Sequence, residues 1–424
     1  MVKLKSMLLK EYNPYLEYKN GELFLEGVSL KELAKEYGTP LYVYSASYIR
    51  DRIRAYKEAF PNALICYAVK ANFNPHIVAL AKEEGAGADV VSGGELYCAL
   101  RAGVETSKIV YAGVGKTLQE ITFAVEKDIL MFNVESHMEL DVLNEVGERL
   151  GKKVRVAIRV NPDVDPKTHP YISTGMKKSK FGIDIKQAKK EYRYARSLKN
   201  LEVVGIHCHI GSQILDVSPY IEATEKVVGL YEELIKEGFD IKYIDLGGGL
   251  GIKYQPDQAN PEPEDLAKAI MPSLRGVQAK LILEPGRSIV GNAGILLTQV
   301  QFLKDKGHKH FVIVDAGMND LIRPAIYSAY HHIVPVVERD VKYIKTDVVG
   351  PICETGDFLA LDREIPYVER GDYLAVLSAG AYGFTMSSHY NARPKACELL
   401  VEKGKVKVIR RRETYEDIFN ACFS

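Results

Sequence analysis

A lysine that directly follows a run of apolar residues is the first feature of this sequence that could perform chemistry. Lys70 comes after the five residues Ile65–Val69. An ammonium group in partly desolvated surroundings has a lowered pKa, and its amine then forms a Schiff base with a carbonyl carbon. The alternative is a lysine that only pairs with a neighbouring carboxylate. Lys70 taken alone fits both interpretations, so the residues around it must decide.

Glycines and a carboxylate elsewhere in the chain point to a cofactor. Glycines of the run Gly247–Gly251 allow the backbone to approach an anion and to turn its N–H groups toward it, although a tight turn is the simpler reading. Gly286 could complete such a phosphate cradle. Pyridoxal phosphate needs an aldehyde anchor, an anion site and a partner for its ring nitrogen. Lys70, the glycines and Glu284 meet these three needs, and His209 could stack on the ring.

A metal site is the other interpretation of the histidines. His207 and His209 flank Cys208, and alternate residues of a strand share one face. No third ligand is evident in the sequence, whereas a protein-bound zinc normally has three or four protein ligands. We therefore expect no metal.

Eight short β-branched runs, separated by amphipathic helical stretches, would position these residues. Eight strand–helix units over this length predict an α/β fold, a closed (β/α)8 barrel, with a doubly wound open sheet as the alternative. The runs are Leu64–Val69, Ala88–Val91, Lys108–Ala112, Ile129–Val134, Val154–Val160, Val203–His209, Ile241–Leu246 and Lys280–Leu283.

The reactive residues follow these runs, which is where a barrel places its active site. Lys70 follows the first run, His209 ends the sixth, the glycine run follows the seventh and Glu284 follows the eighth. A barrel built only for packing has no reason to gather such residues on one rim.

The chain changes character after residue 290, where strand-like runs lack matching helices. We expect a β-rich second domain of sandwich or barrel-like architecture. Strand-like pieces before residue 45 suggest that the N-terminus joins it. The expected organisation is an N-terminal segment 1–45, a cofactor-binding barrel 46–290 and a C-terminal β domain 291–424.

Taken together, these motifs resemble those of the barrel-type (fold type III) pyridoxal-phosphate decarboxylases. The resemblance covers nearly the whole chain in the same order. It lies in Tyr67–Asn72, His209–Gln213, Gly247–Gly249, Glu284–Arg287, Gly350–Glu354 and Gly380–Gly383.

The resemblance implies a role for each matched residue. Lys70 would anchor pyridoxal 5'-phosphate covalently, His209 would stack on its ring, Glu284 would pair with the ring nitrogen and Asp89 would lie in the pocket wall. Cys353 would donate a proton to the carbanion, from a loop that reaches the other subunit of a homodimer. Residues expected around the phosphate and the neighbouring substrate groups are Ser212, Gly248, Gly249, Gly286, Arg287 and Tyr382.

Within this family the resemblance is strongest to the branch that converts meso-2,6-diaminopimelate into L-lysine and CO2. The distal end of that amino acid carries a carboxylate, which a guanidinium binds bidentately. Arg323 resembles the family's clamp, and Glu354 would bind the distal ammonium. The residues expected to bind substrate are Arg287, Arg323, Tyr327, Glu354 and Tyr382.

Three alternatives remain open on the sequence. An ornithine or arginine decarboxylase would lack the need for Arg323. An amino-acid racemase of this fold places an arginine at the ring nitrogen, where this chain has Glu284. A non-catalytic binding protein on the same scaffold typically loses the anchor or the donor, and both Lys70 and Cys353 are present.

Composition excludes several other classes of protein. The 56 basic and 56 acidic residues cancel, so no net field draws the chain to nucleic acid or anionic lipid. Six scattered cysteines without a C-x-x-C pair fit a reducing compartment, and no apolar stretch approaches the length of a membrane span. We expect a cytoplasmic enzyme.

Overall fold

The computed structural model describes residues 8–166, 168, 174 and 180–423, and the chain forms two compact units. The first unit contains Met1–Arg50, Lys253–Ala259 and Ile289–Ser424. The second contains Asp51–Ile252 and Asn260–Ser288. The chain thus begins in the first unit, builds most of the second and then returns.

The second unit is a closed barrel of eight parallel strands. Each strand pairs with the next, and the eighth pairs with the first through Ile282 opposite Leu64, which closes the cylinder. The predicted (β/α)8 barrel is therefore confirmed and the open-sheet alternative is wrong. In chain order the barrel strands are Leu64–Ala68, Gly87–Val90, Ile109–Tyr111, Met131–Val134, Val154–Asn161, Leu201–His207, Tyr243–Asp245 and Lys280–Leu283.

Helices follow most of these strands, and their starts are set by local sequence. Ser92 and Ser136 each accept a hydrogen bond from the backbone N–H three residues on, and Thr117 forms a reciprocal capping box with Glu120. The helices of the second unit after the first strand are Pro75–Glu83, Gly93–Arg101, Leu118–Glu126, His137–Leu150, Ala188–Ser197, Ser218–Lys236 and Pro263–Ile270.

The barrel interior is packed with apolar side chains. Cys66, Val110, Met131, Ala157 and Ile282 form one buried cluster contributed by strands around the barrel. Because both faces of a parallel barrel strand are covered, these strands read as continuous apolar runs in the sequence. The continuous runs are why the barrel strands were recognisable.

The first unit is built on a mixed sheet of nine strands. The long strand Gly294–Asp305 lies at its centre, and Leu41–Ser45 pairs with it on one side and with Cys397–Glu402 on the other. The other strands are His310–Val314, Ile333–Pro335, Tyr343–Val349, Phe358–Pro366, Tyr373–Val376 and Lys405–Arg410. A separate three-stranded sheet consists of Leu16–Lys19, Glu22–Leu25 and Val28–Ser29.

The remaining helices are mostly short. Leu30–Tyr37 begins at Ser29, whose hydroxyl accepts from the Glu32 N–H. The others are Ala46–Ala59, Arg287–Val290, Arg323–Tyr327 and Tyr415–Phe423.

Three strands of this sheet were not predicted from the sequence. Phe358–Pro366 has exposed polar residues in its middle and a left-handed residue, Asp362 at φ 48°, so it lacks a strict alternation. Cys397–Glu402 and Ile333–Pro335 were also missed. The last of these is too short to produce a periodic signal.

The stretch 254–263 contains three prolines and two glutamines, a composition typical of a surface loop. Positions 255, 257, 259 and 260 are indeed exposed, but Tyr254 is 5% exposed and is part of the first unit. None of the helices in the described part of the chain is both long and apolar enough to cross a bilayer.

Candidate active site

Lys70 lies just beyond the first barrel strand. That strand is buried throughout, and a single 3-10 turn, Val69–Ala71, carries the lysine out of it. Lys70 Nζ donates a hydrogen bond to Asp89 Oδ2 at 2.5 Å. The lysine side chain is 33% exposed and that of Asp89 is completely buried. The ion pair weighed in the sequence analysis therefore exists, and it holds the amine at an accessible position on the barrel rim.

Asp89 belongs to the second barrel strand and is the buried partner of this pair. Burial raises its pKa, as does the negative charge of Glu284, while Lys70 opposes both effects. Asp89 Oδ1 has no hydrogen-bond partner among the residues that the structure describes. Asp89 thus fixes the position of Lys70 Nζ through one oxygen.

Glu284 directly follows the eighth strand and is 5% exposed. Asn133 Nδ2 donates to its Oε1 at 3.3 Å, and His207 Nε2 lies 3.4 Å from its Oε2. Burial alone would raise the pKa of Glu284. His207 and Lys70 outweigh burial and hold this pKa below its usual range. Glu284 is therefore an anion at neutral pH, as a partner for a protonated pyridine nitrogen must be.

Asp245 ends the seventh strand and carries the proton of this buried acid pair. Burial raises its pKa well above the usual range, and the negative charge of Glu284 raises it further. Its Oδ1 also accepts from the Gly247 N–H at 2.9 Å. Two adjacent buried carboxyl groups cannot both ionise, and the proton remains on Asp245 because Glu284 has the cationic neighbours.

The expectation of no metal relied on the absence of a third ligand near the histidines. The structure shows that this premise is wrong. Ligand atoms of His207, Asp245 and Glu284 lie within 4.8 Å of one another. They come from three adjacent strands, which linear spacing does not reveal. His207 contacts Glu284 directly, whereas Asp245 Oδ2 has no hydrogen-bond partner among the described residues. The expectation that no metal is bound stays a prediction.

His209 lies two residues beyond the sixth strand and is partly exposed. Desolvation lowers its pKa well below the usual range, and the positive charges of Arg159 and Lys70 lower it further. The Gly248 N–H donates to His209 Nδ1 at 3.2 Å. The imidazole is thus neutral with its proton on Nε2, and the glycine loop fixes its orientation.

The glycine loop after the seventh strand is a cradle that side chains would fill. Gly247 and Gly249 have φ values of 66° and 110°, which favour glycine. A Cβ on Gly248 would lie 2.1 Å from the Glu284 carbonyl oxygen, and one on Gly249 would lie 2.2 Å from that of Gly211. The loop is therefore wedged between the ends of the sixth and eighth strands, consistent with both a tight turn and a close approach to a ligand.

Arg287 and Ser212 form a polar pair at the same end of the barrel. Arg287 Nη2 donates to Ser212 Oγ at 3.1 Å, and Arg287 is 6% exposed. A Cβ on Gly286 would lie 2.9 Å from Ala68 Cβ, so this position also requires glycine. The second unit thus contains these predicted site residues: Lys70, Asp89, His209, Ser212, Gly248, Gly249, Glu284, Gly286 and Arg287.

Five predicted site residues belong to the first unit instead. Cys353 and Glu354 lie in the exposed loop between strands Tyr343–Val349 and Phe358–Pro366. The others are Arg323, Tyr327 and Tyr382.

The loop of Cys353 is held by side chains that the sequence analysis did not identify. Asn391 Oδ1 accepts the Cys353 N–H at 3.0 Å, and the thiol is free and exposed. The hydroxyl of Tyr390 bonds to Glu354, which raises the pKa of the tyrosine. At the base of the loop, Asp357 accepts the Ile352 N–H at 2.6 Å. These contacts fix the backbone and leave the thiol accessible.

Arg323 is 5% exposed, which excludes a salt bridge at the protein surface as its role. It begins the short helix that ends at Tyr327, which is partly exposed. Tyr382 is also partly exposed and has a φ of 56°. A bulky residue rarely adopts that conformation unless its surroundings impose it, and such residues often mark functional sites.

Some residues of these networks occupy positions where the sequence alone predicts a site. Asn133 and Asp245 lie at the ends of the fourth and seventh strands, which is where a barrel places its active-site residues. Glu95 lies near the second strand, and burial raises its pKa to about 7 against the positive charge of Lys70. Asn391 had no such signal, because its contact with the Cys353 loop joins distant segments.

This chain is similar in sequence to proteins of known family. The family described as pyridoxal-dependent decarboxylase, pyridoxal binding domain, matches residues 46–291. A diaminopimelate decarboxylase from Aquifex aeolicus (strain VF5) is 72% identical over 411 residues, which are 97% of this chain and 98% of the relative. One from Pseudomonas aeruginosa is 50% identical over 404 residues, 95% of this chain and 97% of the relative.

A solved structure agrees with these relatives. The crystal structure of diaminopimelate decarboxylase from Helicobacter pylori complexed with L-lysine superposes with a TM-score of 0.90. It is 44% identical in sequence and covers 93% of this chain and 99% of its own. The similarity therefore extends over both units of the chain.

Proposed function

This chain belongs to the pyridoxal-phosphate-dependent diaminopimelate decarboxylases, and from that membership we propose which of its residues carry out the reaction. It is a carboxy-lyase that converts meso-2,6-diaminopimelate into L-lysine and CO2, a step of lysine biosynthesis. The observation that carries the assignment is the barrel rim, where Lys70 and the ionised Glu284 lie at the ends of the first and eighth strands.

The residues of the rim fit the cofactor. Lys70 is the proposed covalent anchor, and its accessible amine is held by Asp89. Glu284 is the proposed partner of the ring nitrogen. His207 and Lys70 keep it ionised, and Asn133 donates a hydrogen bond to it. Neutral His209 is assigned to the face of the ring. When bound, pyridoxal phosphate accepts the electron pair that remains at Cα after CO2 leaves.

Glu284 has the largest electrostatic part in this scheme. Its charge would stabilise a proton on the ring nitrogen of the bound cofactor, the state in which the ring withdraws electrons from Cα most strongly. Asp245 stays neutral beside it, so the network presents a single negative charge. An arginine at this position, as in a racemase, would favour the opposite protonation state. The racemase alternative is therefore not favoured. The similarity to diaminopimelate decarboxylases also speaks against an ornithine or arginine decarboxylase.

The glycine loop and the Arg287 pair are proposed to hold the phosphate. Backbone N–H groups and a guanidinium are suited to an anion, and the loop has no space for side chains. We assign Ser212, Gly248, Gly249, Gly286, Arg287 and Tyr382 to the phosphate and the adjacent substrate groups.

The distal end of the substrate requires one cation and one anion. Arg323 is proposed to bind the distal carboxylate, and Glu354 the distal ammonium. Arg287, Tyr327 and Tyr382 are the proposed neighbours. Support comes from the burial of Arg323, since a guanidinium withdrawn from solvent binds a carboxylate more strongly than an exposed one.

Cys353 is the proposed proton donor. Its Sγ–H would deliver a proton to Cα, and its free, exposed thiol on an anchored loop supports this role. As the family resemblance implies, the loop would serve the active site of the other subunit, so we propose a homodimer. We also propose that the cofactor-binding domain spans 46–290, between an N-terminal segment 1–45 and a β domain 291–424. Six free thiols support residence in the cytoplasm.

Mixing two inactive variants tests the shared site. Lys70→Ala and Cys353→Ala chains are unfolded together, refolded at equal concentration and assayed for CO2 release. Half of the dimers are then mixed, and each mixed dimer has one intact site, so activity should recover to about a quarter of that of the parent enzyme. Each variant refolded alone is the control. Activity of the mixture equal to the mean of these controls would show that each chain supplies its own cysteine.

A further inference from the structure

We propose that His331 is a positioning residue for Arg323, and that it sets the selectivity of the enzyme for amino acids with a distal carboxylate. Tyr254 assists it, because the guanidinium lies over the tyrosine ring. The inference rests on the proposed role of Arg323 and adds to it the question of what orients the clamp. All three residues belong to the first unit.

His331 is fully buried between two groups that leave it one protonation state. Its Nε2 lies 2.9 Å from Arg323 Nη1, and its Nδ1 lies 2.9 Å from the carbonyl oxygen of Leu377. A guanidinium only donates hydrogen bonds and a carbonyl only accepts them. Nε2 must therefore accept from Arg323, and Nδ1–H must donate to Leu377. The imidazole is neutral, and its partners fix the tautomer.

The ring of Tyr254 lies against the same guanidinium. The Arg323 guanidinium carbon lies 4.5 Å from the centre of the tyrosine ring, and that ring meets the His331 ring edge-on at 5.3 Å. The Tyr254 backbone is itself fixed, because its N–H donates to Gln258 Oε1 at 2.8 Å and its carbonyl accepts from the Tyr12 hydroxyl at 3.3 Å.

The two contacts restrict different motions of Arg323. The tyrosine ring limits how far the guanidinium can move toward it, and the hydrogen bond to His331 limits the rotation of the guanidinium. His331 engages one N–H of the five that a guanidinium carries. A fork held in one orientation loses less conformational freedom when a carboxylate binds. We therefore expect His331 and Tyr254 to act on substrate binding and not on the chemical step.

Replacement of His331 by phenylalanine removes the acceptor and keeps a ring of similar shape. The KM for meso-diaminopimelate should rise about tenfold or more, since hydrogen bonds to charged groups have this magnitude, while kcat changes less than about threefold. His331→Gln, which restores an oxygen acceptor, should recover part of the loss. Tyr254→Leu should raise the KM in the same direction. His310→Phe, at an exposed histidine of the same unit, is the matched control.

Two inhibitors separate the distal carboxylate from the rest of the substrate. L-lysine keeps the carboxylate that the reaction leaves at the distal end, whereas cadaverine has the same five-carbon diamine chain and no carboxylate. In His331→Phe the inhibition constant of L-lysine should rise with the KM, and that of cadaverine should not change. Equal weakening of both would indicate a general disturbance of the pocket and overturn the inference.

Arg323→Ala distinguishes failure of this inference from failure of the proposed function. If Arg323→Ala raises the KM and neither His331→Phe nor Tyr254→Leu does, Arg323 keeps its role and the positioning inference is wrong. If Arg323→Ala leaves the KM unchanged, the clamp itself is wrong. Thermal midpoints and cofactor absorbance of each variant establish that it folds and binds pyridoxal phosphate. Where His331→Phe does not fold, Tyr254→Leu and His331→Gln decide the question.

Discussion

Replacing Gly248 by alanine is expected to weaken cofactor binding and turnover together. The added Cβ would lie 2.1 Å from the carbonyl oxygen of Glu284 and 2.8 Å from its carbonyl carbon. Both are backbone atoms, so no side chain can rotate away to relieve the clash. Either the glycine loop or the end of the eighth strand must move.

The size of that movement follows from the overlap. Non-bonded atoms settle at about 3.5 Å, so the backbones at Gly248 and Glu284 must separate by about 1.4 Å. A misplacement of about 1 Å in a catalytic group lowers the rate by about 10²-fold. Overpacking of this kind also lowers the free energy of unfolding by about 1–3 kcal/mol. We therefore expect kcat to fall about 10²-fold and the cofactor dissociation constant to rise at least about tenfold, as that displacement moves both the proposed phosphate cradle and Glu284.

The assay titrates the cofactor-free protein with pyridoxal phosphate and follows absorbance, then measures CO2 release at saturating cofactor. Gly229→Ala is the matched control, because nothing lies within 4 Å of its Cβ and it is inside the helix Ser218–Lys236. That variant should keep its kcat and gain about 0.5–1 kcal/mol of stability. If Gly248→Ala binds the cofactor with the parent affinity and keeps kcat within about twofold, the loop does not position Glu284 and the reasoning fails.

Three further substitutions test separate parts of the account. Lys70→Ala should abolish the absorbance of the covalently held cofactor; retention of that band at one cofactor per chain would disprove the anchor. Cys353→Ala should keep this absorbance and lower kcat by about 10²-fold or more, the scale of a lost proton donor, and full activity would move that role elsewhere. Burial raises the pKa of Asp320 to about 7. The folded protein therefore keeps a proton on this carboxyl that the unfolded chain releases from about pH 4 upward. The contribution of Asp320 to stability thus falls as the pH rises toward 7. The thermal midpoint of Asp320→Asn, relative to that of the parent, should therefore rise between pH 5 and 8. A difference between the two midpoints that stays constant over this range would contradict the raised pKa.

The barrel was predictable because its signal is local and repeated. Most barrel strands are rich in apolar residues, and reactive or glycine-rich residues follow several of them, such as Lys280–Leu283. The rule that sites lie at strand ends needs no three-dimensional information. Lys70 and Glu284 were found in this way. The sequence predicted closure of the barrel only from the number of strands, and the pairing of Ile282 with Leu64 establishes it.

The charge state of the site could not be predicted, because it depends on contacts between strands. Asp245 and Glu284 are far apart in sequence, and which of them carries the proton is decided by the cationic neighbours of Glu284. The support of Arg323 was equally hidden. Tyr254 lies in a stretch whose composition resembles an exposed loop, yet its ring is buried against the guanidinium.

The most direct test of the central claim is CO2 release from meso-diaminopimelate, measured beside ornithine, arginine and lysine, each with and without pyridoxal phosphate. We predict release from diaminopimelate alone, and only when the cofactor is present. Release from ornithine or arginine in its place would keep the barrel and the cofactor but contradict the distal-carboxylate clamp. No release from any substrate by protein with bound cofactor would contradict the assignment as a decarboxylase.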